Sequence, residues 1–385
     1  MRVLFFANRM PDMCGAFLHD IDLAIEFQKR GHSVSFLTIE KPKEGYNGGV
    51  YRGFRFAHYS AAGSLLDTSE IWICPHAPCL PYVRKVNSRG YNRPIVATCH
   101  FDGRYNSITA LASDNWSEML LFINATMETS YRKNIPQFPR SIVRTGVVRP
   151  IMHENKIAMD SPPDGDAITL VNANVNKGVH QFIELAKRMP SRKFLGVIPY
   201  YGELWVPPAP SNVEWIPFDD DIRNILKRTR ILLMPSLYES FGRIAVEAMY
   251  NGIPVLYSKP EVNTKHVSGT TEGMEEWILP AGISCTRDVP EEWTSAIETL
   301  DDVDTYSARQ ILIKEHIRSM NLFTEAARIG DMIEVFHHEH PVTIMPSTTS
   351  TLPPSKPEPG QPPALRPPPA TARIGFSNGR LRLQR

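Results

Sequence analysis

The sequence predicts an α/β protein with two parallel sheets, each covered by helices on both faces, and a C-terminal tail without a core. Three observations carry this. Short apolar runs alternate with helical patterns from the first residues onward, which is how a chain of strand–helix–strand units reads. A polar stretch over 151–166, rich in Pro, Asp and Gly, interrupts the alternation, which then resumes. From about His340 the periodicity stops and proline takes over. A length of 385 residues suits two domains.

The first block, residues 1–150, opens with an apolar strand over 3–7 and a helix over 18–30 that Gly31-His32 ends. Strands follow over 33–38, 70–74, 95–100 and 120–124, and a strand-turn segment over 140–150 closes the domain. Residues 151–166 are the linker. The second block, 167–338, has strands over 167–173, 193–198 and 231–234, with helices over 179–189 and 221–228. Later helices cover 290–300 and 322–337. In the last of these, Leu322, Ala326, Ile329, Met332, Ile333 and Phe336 form an apolar stripe. Residues 340–385 carry Pro353-Pro354, Pro357, Pro359, Pro362-Pro363 and Pro367-Pro368-Pro369. Such a segment buries too little surface to offset chain entropy and reads as disordered, with polyproline character. It ends in Arg373, Arg380, Arg382 and Arg385. A solvated tail is the simpler reading, and a docking segment for a proline-recognition module is the alternative.

Composition narrows the function. Hydrophobic residues make up 42% and charged residues 22%, ordinary for a soluble protein. A net charge of +1 argues against nucleic acid as a partner. The five cysteines, Cys14, Cys74, Cys79, Cys99 and Cys285, are odd in number, scattered and without metal-ligand spacing, which points to a reducing compartment, the cytoplasm. The first apolar run is too short for a signal peptide, and no run reaches membrane-spanning length. Asn115-Trp116-Ser117 and Asn124-Ala125-Thr126 match glycosylation sites, which carry no meaning in that compartment. No G-x-G-x-x-G follows the first strand, so a nicotinamide-binding domain is not expected. Asp219-Asp220-Asp221 read as helix caps rather than metal ligands.

The chemistry concentrates at one corner. After the apolar run Ile231 to Met234 comes Pro235-Ser236-Leu237-Tyr238-Glu239-Ser240-Phe241-Gly242-Arg243-Ile244-Ala245-Val246-Glu247-Ala248, and Asn251-Gly252 ends the helix before Ile253-Pro254-Val255-Leu256. This is a buried strand, a loop and a helix. Glu239 falls in the loop at the helix N-terminus, and Glu247 about two turns into the helix. Ligands of open α/β sheets bind beyond the carboxyl ends of the strands, where this corner lies. Without further context, Glu239 would be a helix-start acid and Arg243–Glu247 a surface ion pair at helical spacing.

The corner resembles the paired-glutamate signature of retaining GT-B glycosyltransferases, especially glycosyltransferase family 4: P-S-x-x-E-S-F-G-x-x-x-x-E-A-x-x-x-G-x-P-V, matched at every fixed position. The resemblance extends from residue 1 to about 335. It implies a GT-B architecture, two Rossmann-like domains facing a central cleft, with the acceptor on the N-terminal domain and the nucleotide sugar mainly on the C-terminal one. It also implies that the last helix crosses back to the first domain. Glu239 would lie near the donor sugar. Glu247 would bind the ribose hydroxyls, which a carboxylate suits because it accepts hydrogen bonds from both. Ser240, Phe241, Gly242 and Arg243 would line the donor.

Other segments extend the resemblance. Cys14-Gly15-Ala16-Phe17-Leu18-His19 and Arg30-Gly31-His32-Ser33-Val34 are similar to the family's glycine loop, G-G-x-E-x-H, and its R-G-H-x-V, with Cys14 for the first glycine and Phe17 for the glutamate. Gly15 lets backbone N–H groups approach an anion. His100, ending the strand Val96 to Cys99, would reach the donor sugar, and Asp102 the acceptor. The lysine of Asn176-Lys177-Gly178 would contact the donor diphosphate, where positive charge steadies the leaving group. The family's Gly-Arg before that lysine reads Asn172-Ala173 here, so Arg243 or another basic residue would substitute, or Lys177 and backbone dipoles suffice. Glu272, in a loop after the strand at Val255, would lie near sugar and phosphates. Arg84, Lys85, Arg89, Arg93, Arg132 and Lys133 are either a solvated face or a peripheral membrane contact, as in relatives with lipid-linked acceptors.

The resemblance therefore implies a hexosyl- or glycosyltransferase of glycan biosynthesis. It would take a nucleoside-diphosphate sugar as donor and a carbohydrate, glycan or lipid-linked hydroxyl as acceptor. It would retain the anomeric configuration and need neither metal nor cofactor. Other GT-B enzymes, such as a sugar phosphorylase or a nucleotide-sugar epimerase, are rivals within the fold. A catalytically inactive GT-B nucleotide-sugar-binding or scaffold protein is the alternative that the Cys14, Phe17 and Gly-Arg departures leave open.

Overall fold

The computed structural model describes residues 1–10, 14–40, 48–61, 63–77, 79–199, 206–260, 271–342, 374–377 and 380–383. The chain divides into two compact units. One comprises Met1–His153 and takes back the chain from Asn321, and the other comprises Glu154–Val262 and Thr270–Met320.

The first unit has an eight-stranded sheet. Its strands are β1 (Arg2–Ala7), β2 (Ser33–Thr38), β3 (Gly48–Tyr51), β4 (Phe54–His58), β5 (Ile71–Pro75), β6 (Ile95–Cys99), β7 (Glu118–Phe122) and β8 (Ile142–Val147). The order is β3-β4-β2-β1-β5-β6-β7-β8, and every pairing is parallel except the β3–β4 edge. β1, β6 and β7 are buried along almost their whole length, as strands covered on both faces must be. The helix Gly15–Lys29 lays Phe17, Ile21, Ala24 and Phe27 against this sheet. Phe5 stacks on Phe36 at 5.0 Å between ring centroids, and each such buried ring stabilises the fold by about 1.5–3 kcal/mol.

The last helix also belongs to this unit. A short 3-10 turn, Leu322–Thr324, precedes Glu325–Glu339. Arg30, just past the first helix, binds Asp331 at 2.7 Å, Glu334 at 3.1 Å and the Ala327 carbonyl at 2.7 Å. The expected apolar stripe packs inward at Ala326, Ile329, Ile333 and Phe336.

The second unit has a six-stranded sheet, entirely parallel. Its strands are β9 (Ala167–Leu170), β10 (Phe194–Val197), β11 (Val213–Ile216), β12 (Thr229–Met234), β13 (Val255–Ser258) and β14 (Ile283–Cys285), in the order β11-β10-β9-β12-β13-β14. The helix Val179–Arg188 buries Val179, Phe182, Ile183, Leu185 and Ala186 against this sheet.

The segment expected as a linker is docked rather than extended. It contains the short helix Glu154–Ile157 with Ile157 buried. Asn251 Nδ2 donates to the Ile157 carbonyl at 2.8 Å, and Asn251 Oδ1 accepts from the Met159 amide at 3.0 Å. Asp221 caps its helix by accepting from the Arg223 amide at 3.1 Å, the role the sequence suggested. Asn124, in one glycosylation-like triplet, is a buried N-cap bonded to the Met127 amide at 2.6 Å. The five cysteines are unbridged. Among the described residues no helix is long and apolar enough to cross a membrane. The proline-rich stretch lies outside the described residues; beyond it, Ile374–Ser377 and Arg380–Leu383 pair as an antiparallel hairpin.

Candidate functional site

In the second unit the chain leaves β9 toward β10 on one side and later fills β12, β13 and β14 on the other. The carboxyl ends of β9 and β12 therefore form a topological switch point, where doubly wound sheets open a crevice for ligands. The two loops that leave these ends carry Lys177 and Glu239.

The post-β9 loop is shaped by backbone requirements. Asn172 adopts a left-handed conformation at φ 63°. The Asn174 side chain caps a 3-10 turn by accepting from the Lys177 amide at 3.1 Å. Gly178 follows at φ +81°, and a Cβ there would lie 2.1 Å from the Pro235 carbonyl oxygen. Only glycine allows the turn to rest on the end of β12. The Leu237 amide then donates to the Asn176 carbonyl at 2.8 Å and stitches the loops together.

Lys177 Nζ stands 2.5 Å from Glu239 Oε1. Ser236 Oγ donates to the same oxygen at 2.8 Å. Glu239 is buried, while the Lys177 side chain is 27% exposed, so its ammonium keeps an open side. Phe241 is buried against Trp277, with ring centroids 6.0 Å apart. Gly242 at φ +72° starts the helix Arg243–Tyr250, and a Cβ there would meet Met274 Sδ at 2.8 Å. Ser240 is half-buried.

Arg243 Nε binds Glu247 Oε1 at 2.8 Å, with side chains only 14% and 10% exposed. The ion pair is present at helical spacing, but it is not on the surface. The helix begins at Arg243, so Glu247 lies one turn in rather than two. Beside the same corner stands Arg287, whose Nε donates to the Pro235 carbonyl at 3.4 Å, which pairs with Asp288 at 3.1 Å and whose side chain is 16% exposed. Sequence reasoning did not single it out, because it lies 52 residues from Pro235 and carries no motif. Glu272 is not in a loop: it opens the helix Glu272–Ile278 from an exposed position. Most of the loop before it, 261–270, lies outside the described residues.

The first unit brings His100 and Asp102 to the carboxyl end of β6. His100 is 6% exposed, and its ring meets that of His19 at 5.3 Å between centroids, edge to face. Burial, and secondarily His19 and His76, push the His100 imidazole well below its usual range. It works as a neutral hydrogen-bonding group, not as a cation. His76 is buried and pushed down to about 4 by desolvation. The Tyr131 hydroxyl sits 2.9 Å from His76 Nε2 and 2.8 Å from the Phe101 carbonyl. Asp102 is fixed by the Gly103 amide at 2.7 Å, Ser130 Oγ at 3.0 Å and the Tyr105 hydroxyl at 3.2 Å.

His19 is a candidate the sequence reading passed over. Its Nδ1 accepts from the Ile151 amide at 3.2 Å, and its signal was its place at the histidine of the glycine-loop pattern. Asp20 beside it is buried, and desolvation raises its carboxyl well above the usual range. Gly15 is the first residue of its helix, exposed, with open space where a Cβ would stand. Part of the loop before it, 11–13, lies outside the described residues.

The basic positions of this unit do not form one solvated or membrane-facing set. Arg84 is fully buried and forks onto Glu118 at 2.9 and 2.6 Å, with the Ile108 and Ala110 carbonyls at 2.8 and 2.7 Å. Arg93 is buried and donates to the Asp67 carbonyl at 3.0 Å. Arg132 pairs with Glu128 at 2.7 Å. The Arg84 guanidinium, fully buried and fully bonded, is structural.

Known proteins share this fold. Residues 209–298 match the family described as Glycosyl transferases group 1. Sucrose-phosphate synthase from Thermosynechococcus elongatus superposes with a TM-score of 0.65 at 12% identity, covering 88% of this chain and 99% of that one. Anabaena HepE in complex with UDP and glucose gives 0.64 at 16% identity, covering 87% and 99%. An E. coli trehalose-6-phosphate structure bound with UDP-2-fluoro glucose gives 0.63 at 11% identity, covering 89% and 100%. No curated protein matches the sequence. The fold is GT-B.

Proposed function

We propose that this chain transfers a sugar from a nucleoside-diphosphate sugar to an acceptor hydroxyl, with retention at the anomeric carbon and without a metal ion. The observation that carries the reading is the meeting of Lys177 and Glu239, 2.5 Å apart at the β9–β12 switch point.

Lys177 binds the donor diphosphate and steadies the negative charge that develops as the sugar–phosphate bond breaks. Arg287 supplies a second cation at the same corner, in place of the missing Gly-Arg arginine. Glu247, held by Arg243, accepts hydrogen bonds from the ribose hydroxyls. Glu239 positions the sugar and offsets positive charge at its anomeric carbon. Backbone groups of Ser240, Phe241 and Gly242 line the donor, as do Gly15 and Glu272 in the family resemblance. His100, neutral, hydrogen-bonds a sugar hydroxyl, and Asp102 receives the acceptor.

In the step itself, the acceptor oxygen forms the new bond on the face from which the diphosphate leaves. The leaving phosphate takes the acceptor proton. No metal ligand is assigned to Asp219 or Asp221, which bond helix-start amides. A uridine donor is the first to test, because two of the similar structures are described with UDP or a UDP sugar. The working site is placed in the cytoplasm, with peripheral membrane contact left to the acceptor.

The experiment is incubation with UDP, GDP and ADP sugars, reading nucleoside diphosphate release, followed by NMR of the first glycoside formed. Turnover with unchanged anomeric configuration is expected. An inverted product overturns retention. Binding of a nucleotide sugar with no release under any condition overturns the enzyme reading in favour of an inactive binder.

A further inference from the structure

Beyond the proline-rich sequence 343–373 stands a two-stranded sheet that joins neither of the larger ones. Ile374–Ser377 and Arg380–Leu383 pair antiparallel. Between them the sequence reads Asn378-Gly379, the pair that most favours a two-residue hairpin turn. The register sets Ile374 opposite Leu383 and Phe376 opposite Leu381, with Gly375 opposite Arg382 and Ser377 opposite Arg380. Cross-strand partners share a face, and successive residues alternate between faces. One face of the ribbon therefore belongs to Ile374, Phe376, Leu381 and Leu383, and the other to Gly375, Ser377, Arg380 and Arg382.

Charge is as one-sided as hydrophobicity. After Glu358 the sequence holds no acidic residue, and it holds Arg366, Arg373, Arg380, Arg382 and Arg385. An isolated two-stranded hairpin is at best marginally stable in water. One that gathers its large apolar residues on a single face needs a surface for that face. The surface must also be anionic, because Arg373, Arg380, Arg382 and Arg385 lie within or beside the strands. Nucleic acid answers the arginines and leaves the apolar face in water. A proline-recognition module answers the sequence before the hairpin and neither of its faces. An anionic bilayer answers both. Acyl chains receive an apolar face at the headgroup boundary, and the headgroups receive guanidinium groups at that depth.

We propose that this hairpin is a lipid-surface anchor. It lies on anionic bilayers with the face of Ile374, Phe376, Leu381 and Leu383 toward the acyl chains and its arginines among the headgroups. The proposal goes beyond the glycosyltransferase reading and does not depend on it. It also moves membrane contact away from the basic positions of the first unit, of which Arg84 and Arg93 are buried.

Vesicle co-sedimentation of the full chain tests it, with phosphatidylcholine alone and with phosphatidylcholine carrying about one quarter phosphatidylserine. The wild-type chain should sediment with the anionic vesicles and not with the neutral ones, and rising salt should release it. A chain shortened to end at Ala372 should stay in solution with an unchanged melting temperature. R380Q/R382Q should lower the partition coefficient about thirtyfold, since each basic residue near such a surface is worth about fivefold. F376S/L381S, which keeps every charge, should lower it by at least about tenfold. No binding of the wild-type chain to anionic vesicles overturns the proposal, and so does equal binding by the shortened chain. Wild-type partition in F376S/L381S overturns it in favour of electrostatic adsorption alone. Tighter binding to duplex DNA than to anionic vesicles at the same salt overturns it in favour of nucleic acid.

Discussion

Lys177 Nζ and Glu239 Oε1, 62 residues apart in sequence, stand 2.5 Å from each other across the ends of two adjacent strands. The carboxylate takes one of the three donors of an ammonium whose other side is open, so a diphosphate would bind beside an anion that repels it. This predicts opposite effects for the two partners. Glu239→Gln frees the lysine and removes a repulsive charge, so nucleoside diphosphate should bind about threefold to tenfold more tightly while turnover falls. Lys177→Ala should weaken the same ligand and lower turnover more than it lowers stability. Calorimetric titration with UDP, GDP and ADP beside a turnover assay checks both. Weaker binding in Glu239→Gln would mean that the pair does not regulate access to Lys177.

Gly178 controls where that lysine sits. Its φ of +81° and the 2.1 Å approach of a would-be Cβ to the Pro235 carbonyl leave alanine no relaxed position. Gly178→Ala should cost about 2 kcal/mol or more, because a left-handed alanine alone costs roughly 1–2 kcal/mol. The melting temperature should drop by several degrees, and diphosphate affinity should fall as the turn lifts off β12. A variant that melts and binds like the wild type would show that the two loops do not depend on this contact.

Glu247 is reached by Arg243 at 2.8 Å through one carboxylate oxygen. The proposed role gives its carboxylate to ribose hydroxyls. Glu247→Ala should then weaken nucleoside diphosphate by roughly tenfold to a hundredfold, equivalent to charge-assisted bonds worth roughly 1.5–3 kcal/mol. Arg243→Gln tests orientation: it should weaken binding less, because the carboxylate remains. Equal affinity for ribose and 2′,3′-dideoxyribose nucleotides in the wild type would remove the ribose assignment.

How far the sequence disclosed this depends on where the information lies. β2 was readable to the residue, because Ser33–Thr38 is a short apolar run set off by Gly31. The helix Val303–Ser319 was not, because only Ile313 and Ile317 are buried and its apolar stripe is too thin to register. The corner from Pro235 to Glu247 was legible as a motif, whereas the ion pair that joins Glu239 to Lys177 was not, because it depends on β9 and β12 becoming neighbours. Arg84 was misread for the same reason: its partner Glu118 is 34 residues away and meets it only after folding. Local pattern fixes elements and loops. Partners supplied from elsewhere in the chain, such as Arg287 for Pro235, appear only in three dimensions.

Acid should loosen the first unit through His76. Desolvation lowers its folded pKa to about 4, whereas the unfolded value is about 6.5. Between these values the unfolded chain binds the proton and the folded one does not, so stability falls as pH falls. The contribution is fully present above about pH 6.5 and lost progressively down to about pH 4. Near pH 5 the loss is about 2 kcal/mol from this residue, and His100, also held down by burial, adds to it. Asp20 runs the other way, since its raised carboxyl stabilises the fold most below the unfolded pKa of about 4 and least as pH rises. The two histidines outweigh one carboxyl between pH 6.5 and 5. The melting temperature should therefore fall by several degrees from pH 7.5 to pH 5. His76→Gln, which can still meet the Tyr131 hydroxyl but does not titrate, should remove most of that fall, because His100 and Asp20 then nearly offset each other. An unchanged pH slope in His76→Gln would place the acid sensitivity elsewhere, with His100 and His19 the next pair to substitute.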